Sequence, residues 1–244
     1  MADLAAPRHT FTVRITHWIT VACFFALLVS GIEVLISHPR FYWGEEGNVN
    51  IQPLFTLPIP ASRSIVSTGY GYVLPDQNGW SRSLHFEAAW ALVLTGFLYF
   101  LAGLIGGHFR KNMVPSGADL SWAALSKSIA DHLRFRRPSA SEAASYNVLQ
   151  RLVYLGVVFV LFPMTVWTGL AMSPAIASVA PSGVTLLGGQ QSARTLHFFC
   201  TVLLVLFVIV HIVMVGFSGF GNRMRAMITG QATAQDIDNQ LEQL

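Results

Sequence analysis

Charged residues are scarce in this sequence. Asp, Glu, Lys and Arg make up only 11% of its 244 residues, whereas 53% are hydrophobic and the mean hydropathy is +0.52. Soluble domains carry about 25% charged residues, so this composition excludes an ordinary soluble domain and favours a lipid bilayer as the solvent. The pI near 9.1 is therefore interpreted as a sign of membrane orientation and not of nucleic-acid binding.

Cysteine is almost absent as well. Cys23 and Cys200 both lie inside hydrophobic runs, so a disulfide is not expected. No C-x-x-C-H motif is present to attach a c-type haem, and no C-x-x-C pair is present to bind zinc or an iron–sulfur cluster. The N-terminal region also lacks the small-residue cleavage pattern of a secretory signal, and its first hydrophobic run is long enough to span a membrane.

Four hydrophobic runs reach the roughly 20 residues that a bilayer crossing requires. They are Ile15–Ile36, Leu84–Gly106, Leu152–Met172 and Leu196–Phe217. Segments of this length can cross lipid only as helices, because each backbone polar group must be satisfied within the segment. The sequence therefore predicts an all-α membrane protein, a bundle of four transmembrane helices in one domain over residues 1–230, with a polar tail over 231–244.

The basic residues are distributed unevenly between the two sides of this bundle. Eleven of the 15 Lys and Arg residues lie in the N-terminal arm, the loop between the second and third spans, and the C-terminal tail. The positive-inside rule then predicts an inner-membrane protein with both termini in the cytoplasm. The long loop His38–Ser83 would be extracytoplasmic, and Ala118–Phe135 has the spacing of an amphipathic helix on the cytoplasmic membrane surface.

Two histidines interrupt the hydrophobic fourth span. His197 and His211 are fourteen residues apart, which in an α-helix separates them by roughly 21 Å and brings their directions to within about 40° of each other. The two imidazoles therefore share one helix face, one near each membrane surface. This geometry suits two haems, each bound by one histidine of this helix.

Two other spans supply one histidine each at matching depths. His17 lies one turn into the first span and His85 opens the second. A b-type haem iron takes a second axial ligand, commonly His, so chain direction predicts two pairs, His17 with His211 inside and His85 with His197 outside. A single histidine near a span end is more often interfacial, but ionisable residues within spans are functional by default, and the paired depths favour two b haems.

Three of the four histidines follow an arginine at the third preceding position, in "RITH", "RSLH" and "RTLH". The arginines are Arg14, Arg82 and Arg194, and residues three apart share one helix face. Each arginine lies nearer the membrane surface than its histidine, where a guanidinium can pair with a haem propionate. The alternative is that they are ordinary interfacial cations that flank the spans.

These features resemble the di-haem cytochrome b subunits of bacterial respiratory enzymes: formate dehydrogenase gamma, the hydrogenase cytochrome b subunit and, most closely, the thiosulfate-reductase-type cytochrome b. Besides the four histidines, three segments carry the resemblance: "SHPRFYWGEEG" (Ser37–Gly47), "YNVLQRLVY" (Tyr146–Tyr154) and "TGLAMSP" (Thr168–Pro174). Ferric reductases and the cytochrome b of bc complexes instead place two histidines on each of two helices.

The resemblance implies two b haems and electron exchange between the quinone pool and a separate catalytic subunit. The expected partner is a periplasmic, molybdopterin-containing oxidoreductase, reached in some relatives through an iron–sulfur subunit. The resemblance also implies a quinone site near the inner haem, with five candidate residues in this chain: His108, Asn112, Tyr146, Asn147 and Gln150. Alternatively, Tyr146 and Asn147 cap the third span, and Gln150 packs between helices.

The extracytoplasmic loop is rich in aromatic residues: Phe41, Tyr42, Trp43, Phe55, Tyr70, Tyr72 and Trp80. Aromatic residues are enriched at protein interfaces, so the loop is a predicted docking surface for the partner. The alternative is an aromatic belt at the lipid headgroups and a lid over the outer haem.

Two other functions remain open from the sequence. A stand-alone cytochrome b, acting as a quinol oxidase or superoxide scavenger without a partner, would use the same haems. A transporter or membrane anchor would use its histidines to move protons or bind zinc, but the chain shows neither an inverted repeat nor a broken span.

Overall fold

The structure is a computed structural model that describes residues 9–48, 50–59, 77–115, 120–133, 148–217 and 219–230, and these ranges are mostly helical. The helices are α1 Phe11–Ser37, α2 Gln77–Ile105, α3 Trp122–Leu133, α4 Val148–Gly156, α5 Phe162–Ala171, α6 Pro174–Val179, α7 Pro181–Thr185, α8 Gln190–Phe217 and α9 Phe220–Thr229. Two short strands, β1 Arg40–Phe41 and β2 Phe55–Thr56, pair antiparallel.

Four helical segments are long and hydrophobic enough to cross a membrane: Phe11–Ser37, Gly79–Ile105, Val148–Ala171 and Gln190–Phe217. They confirm the four predicted spans, and the chain is an integral membrane protein. The helix ends differ from the predicted limits, because α2 and α8 begin several residues earlier, in the polar stretches "QNGWSRS" and "QQSART". Hydropathy marks the hydrophobic part of a span, whereas the helix continues through polar residues.

The third span changes its helical geometry near its middle. It runs from α4 through a π-helical turn, Val157–Leu161, into α5. Pro163 lies in the first turn of α5, and proline neither donates a backbone hydrogen bond nor tolerates the carbonyl of the residue four positions earlier. The wider π-helical turn immediately before Pro163 accommodates this break without interrupting the span.

The chain divides into two compact units. The first comprises residues 1–17, 97–160 and 204–244, and the second comprises residues 18–96 and 161–203. His17 and His211 both belong to the first unit, whereas His85 and His197 both belong to the second. The predicted inner and outer histidine pairs are therefore each contained in one unit.

In the first unit, α3 packs against α4, and α4 packs against a second π-helical turn, Phe109–Met113. The buried Phe109 ring lies edge-on to Phe159, with centroids 5.0 Å apart. It also presses on Gly103, where a Cβ would come within 2.3 Å of the ring, so this position needs glycine. Helix α3 confirms a helix within the predicted Ala118–Phe135, while its place on the membrane surface stays a prediction.

Helix α9 was not predicted from the sequence. It is preceded by Gly219 at φ 92° and followed by Gly230 at φ 81°, and a left-handed glycine after a helix is a common C-terminal signal. Arg14 of α1 donates a hydrogen bond to the Ile228 carbonyl of α9, so α9 packs near the start of the first span. The predicted tail over 231–244 lies outside the described residues.

In the second unit, the segment after α1 caps the N-terminus of α8. The Gln190 backbone N–H donates to a Glu45 carboxylate oxygen at 3.1 Å, and the Gln191 N–H donates to the Gly44 carbonyl at 2.9 Å. The first N–H groups of a helix have no partner within the helix and favour negative charge nearby. The conspicuous "WGEEG" sequence therefore has a structural role as a cap supplied by a distant segment.

The same segment is anchored by an aromatic cluster. Phe41 is 2% exposed, stacks on Phe55 at 4.6 Å between centroids and packs against Phe198 of α8 at the same distance. The buried Thr195 hydroxyl donates to the Tyr42 carbonyl at 2.7 Å. The first part of the outer loop is thus fixed to α8 by both apolar and polar contacts.

We expect Gly189→Ala to destabilise the second unit. Gly189 has φ 109°, and a Cβ there would lie 2.5 Å from the carbonyl carbon and oxygen of Gly44. A non-glycine residue in such a conformation costs about 1–3 kcal/mol. The added Cβ would also push Gly44 away from the N-terminus of α8, which it caps. The thermal unfolding midpoint of the purified protein should fall, with Gly79→Ala as the control because no neighbouring atom lies within 4 Å of that position. Equal midpoints for the two variants would contradict the cap.

Candidate functional site

The outer histidine pair is brought together in the second unit. The imidazole centroids of His85 on α2 and His197 on α8 lie 6.3 Å apart, with ring planes at 64°. A metal–imidazole nitrogen bond is about 2.0–2.1 Å, and a ring centre lies about 1.1–1.2 Å beyond its nitrogen, so the centres of two imidazoles that bind one metal ion are at most about 6.2–6.6 Å apart. The observed separation therefore fits two imidazoles that would hold one haem iron.

The hydrogen bonds of His197 fix which nitrogen carries its proton. Its Nδ1 lies 3.0 Å from the Thr165 carbonyl oxygen and 3.0 Å from the Thr168 hydroxyl. A carbonyl can only accept, so Nδ1–H donates and Nε2 keeps its lone pair. This is the form in which a histidine binds a metal while its other nitrogen is held by a backbone carbonyl.

His85 has the same arrangement. Its Nδ1 lies 3.0 Å from the Ser30 hydroxyl. Sequence reasoning missed Ser30 entirely, and it quoted Thr168 without giving it a role. The sequence signal for these two residues was a hydroxyl residue followed by glycine inside a hydrophobic span. It occurs as "SG" on α1 and as "TG" on α5.

The two residues of the predicted inner pair, His17 on α1 and His211 on α8, belong to the first unit. The His211 ring stacks on Phe207, with centroids 5.8 Å apart and planes at 25°, and lies edge-on to Tyr154 at 6.4 Å. Aromatic packing therefore restricts the orientation of His211.

Arg14 presents a buried donor beside the inner pair. One of its terminal nitrogens donates to the Ile228 carbonyl, but its Nε is buried and has no hydrogen-bond partner within the part of the chain that the structure describes. An unsatisfied buried donor is costly. A haem propionate beside His17 would supply the missing acceptor, so the inner site also fits a haem.

The other two predicted propionate partners differ from Arg14. Arg194 donates to the carbonyl oxygens of Arg40, at 2.9 Å, and His38, and its guanidinium lies 5.0 Å from the centre of the Phe41 ring. It therefore anchors the outer loop, and its contact with a propionate stays a prediction. Arg82 is exposed at the start of α2, and its role stays a prediction as well.

The predicted quinone residues are only partly described. His108 follows α2 with its ring edge-on to Tyr99 at 6.2 Å, and burial lowers its pKa below the usual range, so it is neutral at pH 7. Half-buried Gln150 lies on α4, which packs against the turn that contains the backbone of Asn112. The Asn112 side chain, Tyr146 and Asn147 lie outside the described residues, so the structure does not test this set as a whole.

Comparisons with known proteins identify the family of this chain. A sequence model of the prokaryotic cytochrome b561 family matches residues 8–230. The chain is also 29% identical over 212 residues to a protein of Azospira oryzae described as a putative protein-methionine-sulfoxide reductase subunit YedZ1, covering 85% of this chain and 89% of that protein. No solved structure matches.

The family match includes all four spans and all four paired histidines. It confirms the resemblance to bacterial cytochrome b membrane proteins, and it disfavours the transporter or non-haem anchor considered from the sequence. The chain belongs to the prokaryotic cytochrome b561 family and is an integral membrane protein that binds haem b.

Proposed function

We propose that this protein holds two b haems and carries electrons from quinol, across the inner membrane, to an extracytoplasmic reductase. The observation that carries the proposal is the outer histidine pair, whose rings are 6.3 Å apart and whose Nδ1 atoms are already hydrogen-bonded. The relative described as a subunit of a protein-methionine-sulfoxide reductase supports a reductase as the electron acceptor.

The two histidine pairs have separate roles. His85 and His197 would hold the outer haem through their Nε2 atoms, because their Nδ1 atoms are hydrogen-bonded, and His17 and His211 would hold the inner haem. Haem b, when bound, supplies reversible one-electron transfer. Helix α8 contributes one ligand to each pair at positions fourteen residues apart, which gives the chain an electron route between the two membrane surfaces.

The inner surface is the proposed site of quinol oxidation. His108 belongs to the same unit as His17 and His211, and as a neutral imidazole it can accept a proton when quinol is oxidised. Tyr99 lies beside it, and Asn112, Tyr146, Asn147 and Gln150 complete the proposed set. The cytoplasmic position of this site follows from the proposed orientation, with both termini inside.

The proposed acceptor is a molybdopterin-containing reductase on the extracytoplasmic side, with an iron–sulfur subunit as a further possible link. Reduction of a sulfoxide to a thioether consumes two electrons and two protons and releases one water molecule. Oxidation of one quinol releases two electrons and two protons, so one quinol balances one sulfoxide. This balance makes the relative's described activity compatible with a quinol-linked cytochrome.

The aromatic residues of the proposed docking surface differ in how exposed their side chains are. Phe41 and Tyr42 are buried and hold the loop to α8, whereas Trp43 is 58% exposed. Trp80 is exposed at the start of α2, and Tyr70 and Tyr72 lie outside the described residues. We therefore assign Trp43 as the main aromatic contact for the partner, because it is exposed on a loop that is itself rigidly fixed to the α8 ligand helix.

Single ligand substitutions should remove one haem at a time. We expect His211→Ala to lose the inner haem and keep the outer one, and His197→Ala to do the reverse, because each histidine serves a different iron. Reduced-minus-oxidised spectra combined with redox titration will resolve the two haems, with His9→Ala as a control outside the spans. His211→Ala should also stop reduction by quinol. Quinol reduction that survives in His211→Ala would place the quinone elsewhere.

Arg14→Gln should lower the reduction potential of the inner haem. A cation beside a propionate favours the reduced state, which carries one more negative charge, and for a partly wet pair the loss is on the order of 1 kcal/mol. Arg225→Gln is the matched control, because it removes a cation of the same unit that does not precede a paired histidine. If a redox titration gave the wild-type potential of the inner haem for both variants, Arg14 would not pair with a propionate. Its hydrogen bond to α9 would then be its structural role.

Trp43→Ser should weaken electron delivery to the partner while leaving the haems intact. Truncating an aromatic anchor of an interface costs more than about 1 kcal/mol, so turnover at limiting partner concentration should fall several-fold. Trp122→Ser is the control, because Trp122 is 80% exposed but lies on α3, on the predicted cytoplasmic side. Unchanged partner-linked turnover in Trp43→Ser would show that the partner docks elsewhere.

A further inference from the structure

The two outer histidines are supported by two copies of the same local arrangement. On α1, the Ser30 hydroxyl donates to the carbonyl four residues earlier at 2.7 Å and lies 3.0 Å from His85 Nδ1. On α5, the Thr168 hydroxyl donates to the carbonyl four residues earlier at 2.8 Å and lies 3.0 Å from His197 Nδ1. Because each hydroxyl hydrogen is already used, each hydroxyl oxygen accepts from its histidine.

A backbone carbonyl completes the arrangement at His197. Its Nδ1 also lies 3.0 Å from the carbonyl oxygen of Thr165, three residues before Thr168 on α5. Two acceptors from one helical turn therefore hold the Nδ1–H group of His197, which restrains rotation of its imidazole plane. At His85 the Ser30 hydroxyl is the side-chain acceptor.

Glycine follows the hydroxyl residue in both copies. A Cβ at Gly31 would lie 3.5 Å from Cε1 of His85, and a Cβ at Gly169 would lie 3.3 Å from Cε1 of His197. A Cβ at Gly31 would be in ordinary van der Waals contact with the His85 imidazole, whereas a Cβ at Gly169 would crowd the His197 imidazole. The contact at Gly169 is the tighter one, so the two positions differ in how well they tolerate alanine.

We propose that Ser30–Gly31 and Thr168–Gly169 are positioning pairs that set the tautomer, the plane and the donor strength of the two outer axial imidazoles, and thereby lower the reduction potential of the outer haem. This inference rests on the proposed function of His85 and His197 as ligands. An acceptor on Nδ1–H raises the basicity of the ligating nitrogen, which stabilises the oxidised iron. Ser30 and Thr168 are both 0% exposed, so the supporting hydroxyls are shielded from bulk water.

The decisive variants remove the hydroxyl group of each positioning pair and keep the glycine that follows it. Thr168→Val also keeps the side-chain volume. Thr168→Val and Ser30→Ala should raise the reduction potential of the outer haem by up to about 59 mV. For one electron, this corresponds to a tenfold change in the equilibrium constant for reduction. They should also change the low-spin EPR signal, because its anisotropy depends on the angle between the imidazole planes, 64° in this structure. Thr168→Ser retains the hydroxyl and should match the wild type.

A matched control separates positioning from general packing. Thr95 is a buried threonine of α2 that donates to the carbonyl four residues earlier at 2.7 Å, and neither outer imidazole is among its hydrogen-bond partners in the described structure. Thr95→Val should leave the outer potential and EPR signal unchanged. Gly169→Ala should alter the EPR signal, whereas Gly31→Ala should alter it less.

The possible failures are distinguishable. If His197→Ala kept both haems with unchanged spectra, the ligand assignment would be wrong and the positioning role would fall with it. If Thr168→Val and Ser30→Ala kept both haems with the wild-type outer potential and EPR signal, the positioning role alone would be wrong. Should Thr168→Val not accumulate in the membrane, Ser30→Ala carries the same test of the hydroxyl, and Gly169→Ala tests the close contact with His197.

Discussion

A neutral imidazole inside a hydrophobic span must have its N–H group satisfied, and this requirement shapes the second unit. A buried polar group without a hydrogen bond costs several kcal/mol in an apolar medium, roughly 2–7 kcal/mol depending on the reference state. The donor of His85 is satisfied by the Ser30 hydroxyl of α1, and that of His197 by the Thr165 carbonyl and the Thr168 hydroxyl of α5. These bonds link facing helices, and they leave each Nε2 as the group available to a metal.

The outer loop and the N-terminus of α8 depend on each other. Helix α8 extends beyond its hydrophobic run, and its first N–H groups are capped by Gly44 and Glu45. Arg194, one turn before His197, holds the loop carbonyls in return. The segment that carries the exposed Trp43 is therefore fixed to the start of α8, the helix that contains His197.

Much of the fold followed from the sequence because hydropathy and spacing are local signals. Length and apolar composition located four spans, and the fourteen-residue interval in α8 together with chain direction predicted that His85 lies near His197, as the structure shows. The assignment of His17, His211, His85 and His197 as haem ligands stays a prediction. The hydrogen bonds from Ser30 and Thr168 were not predictable, because they depend on how each helix is rotated about its axis. Helix α9 was missed because its polar, ten-residue sequence lacks a hydrophobic run. Arg194 was predicted to pair with a haem propionate, and its hydrogen bonds to the carbonyls of Arg40 and His38 were not predicted.

The central claim is that each histidine pair binds one haem b. The most direct measurement is the ratio of haem to polypeptide in the purified wild-type protein, by pyridine haemochrome absorbance and quantitative amino-acid analysis. The account predicts close to two haem b per chain. A ratio near one would contradict one of the two pairs, and a ratio near zero would contradict both.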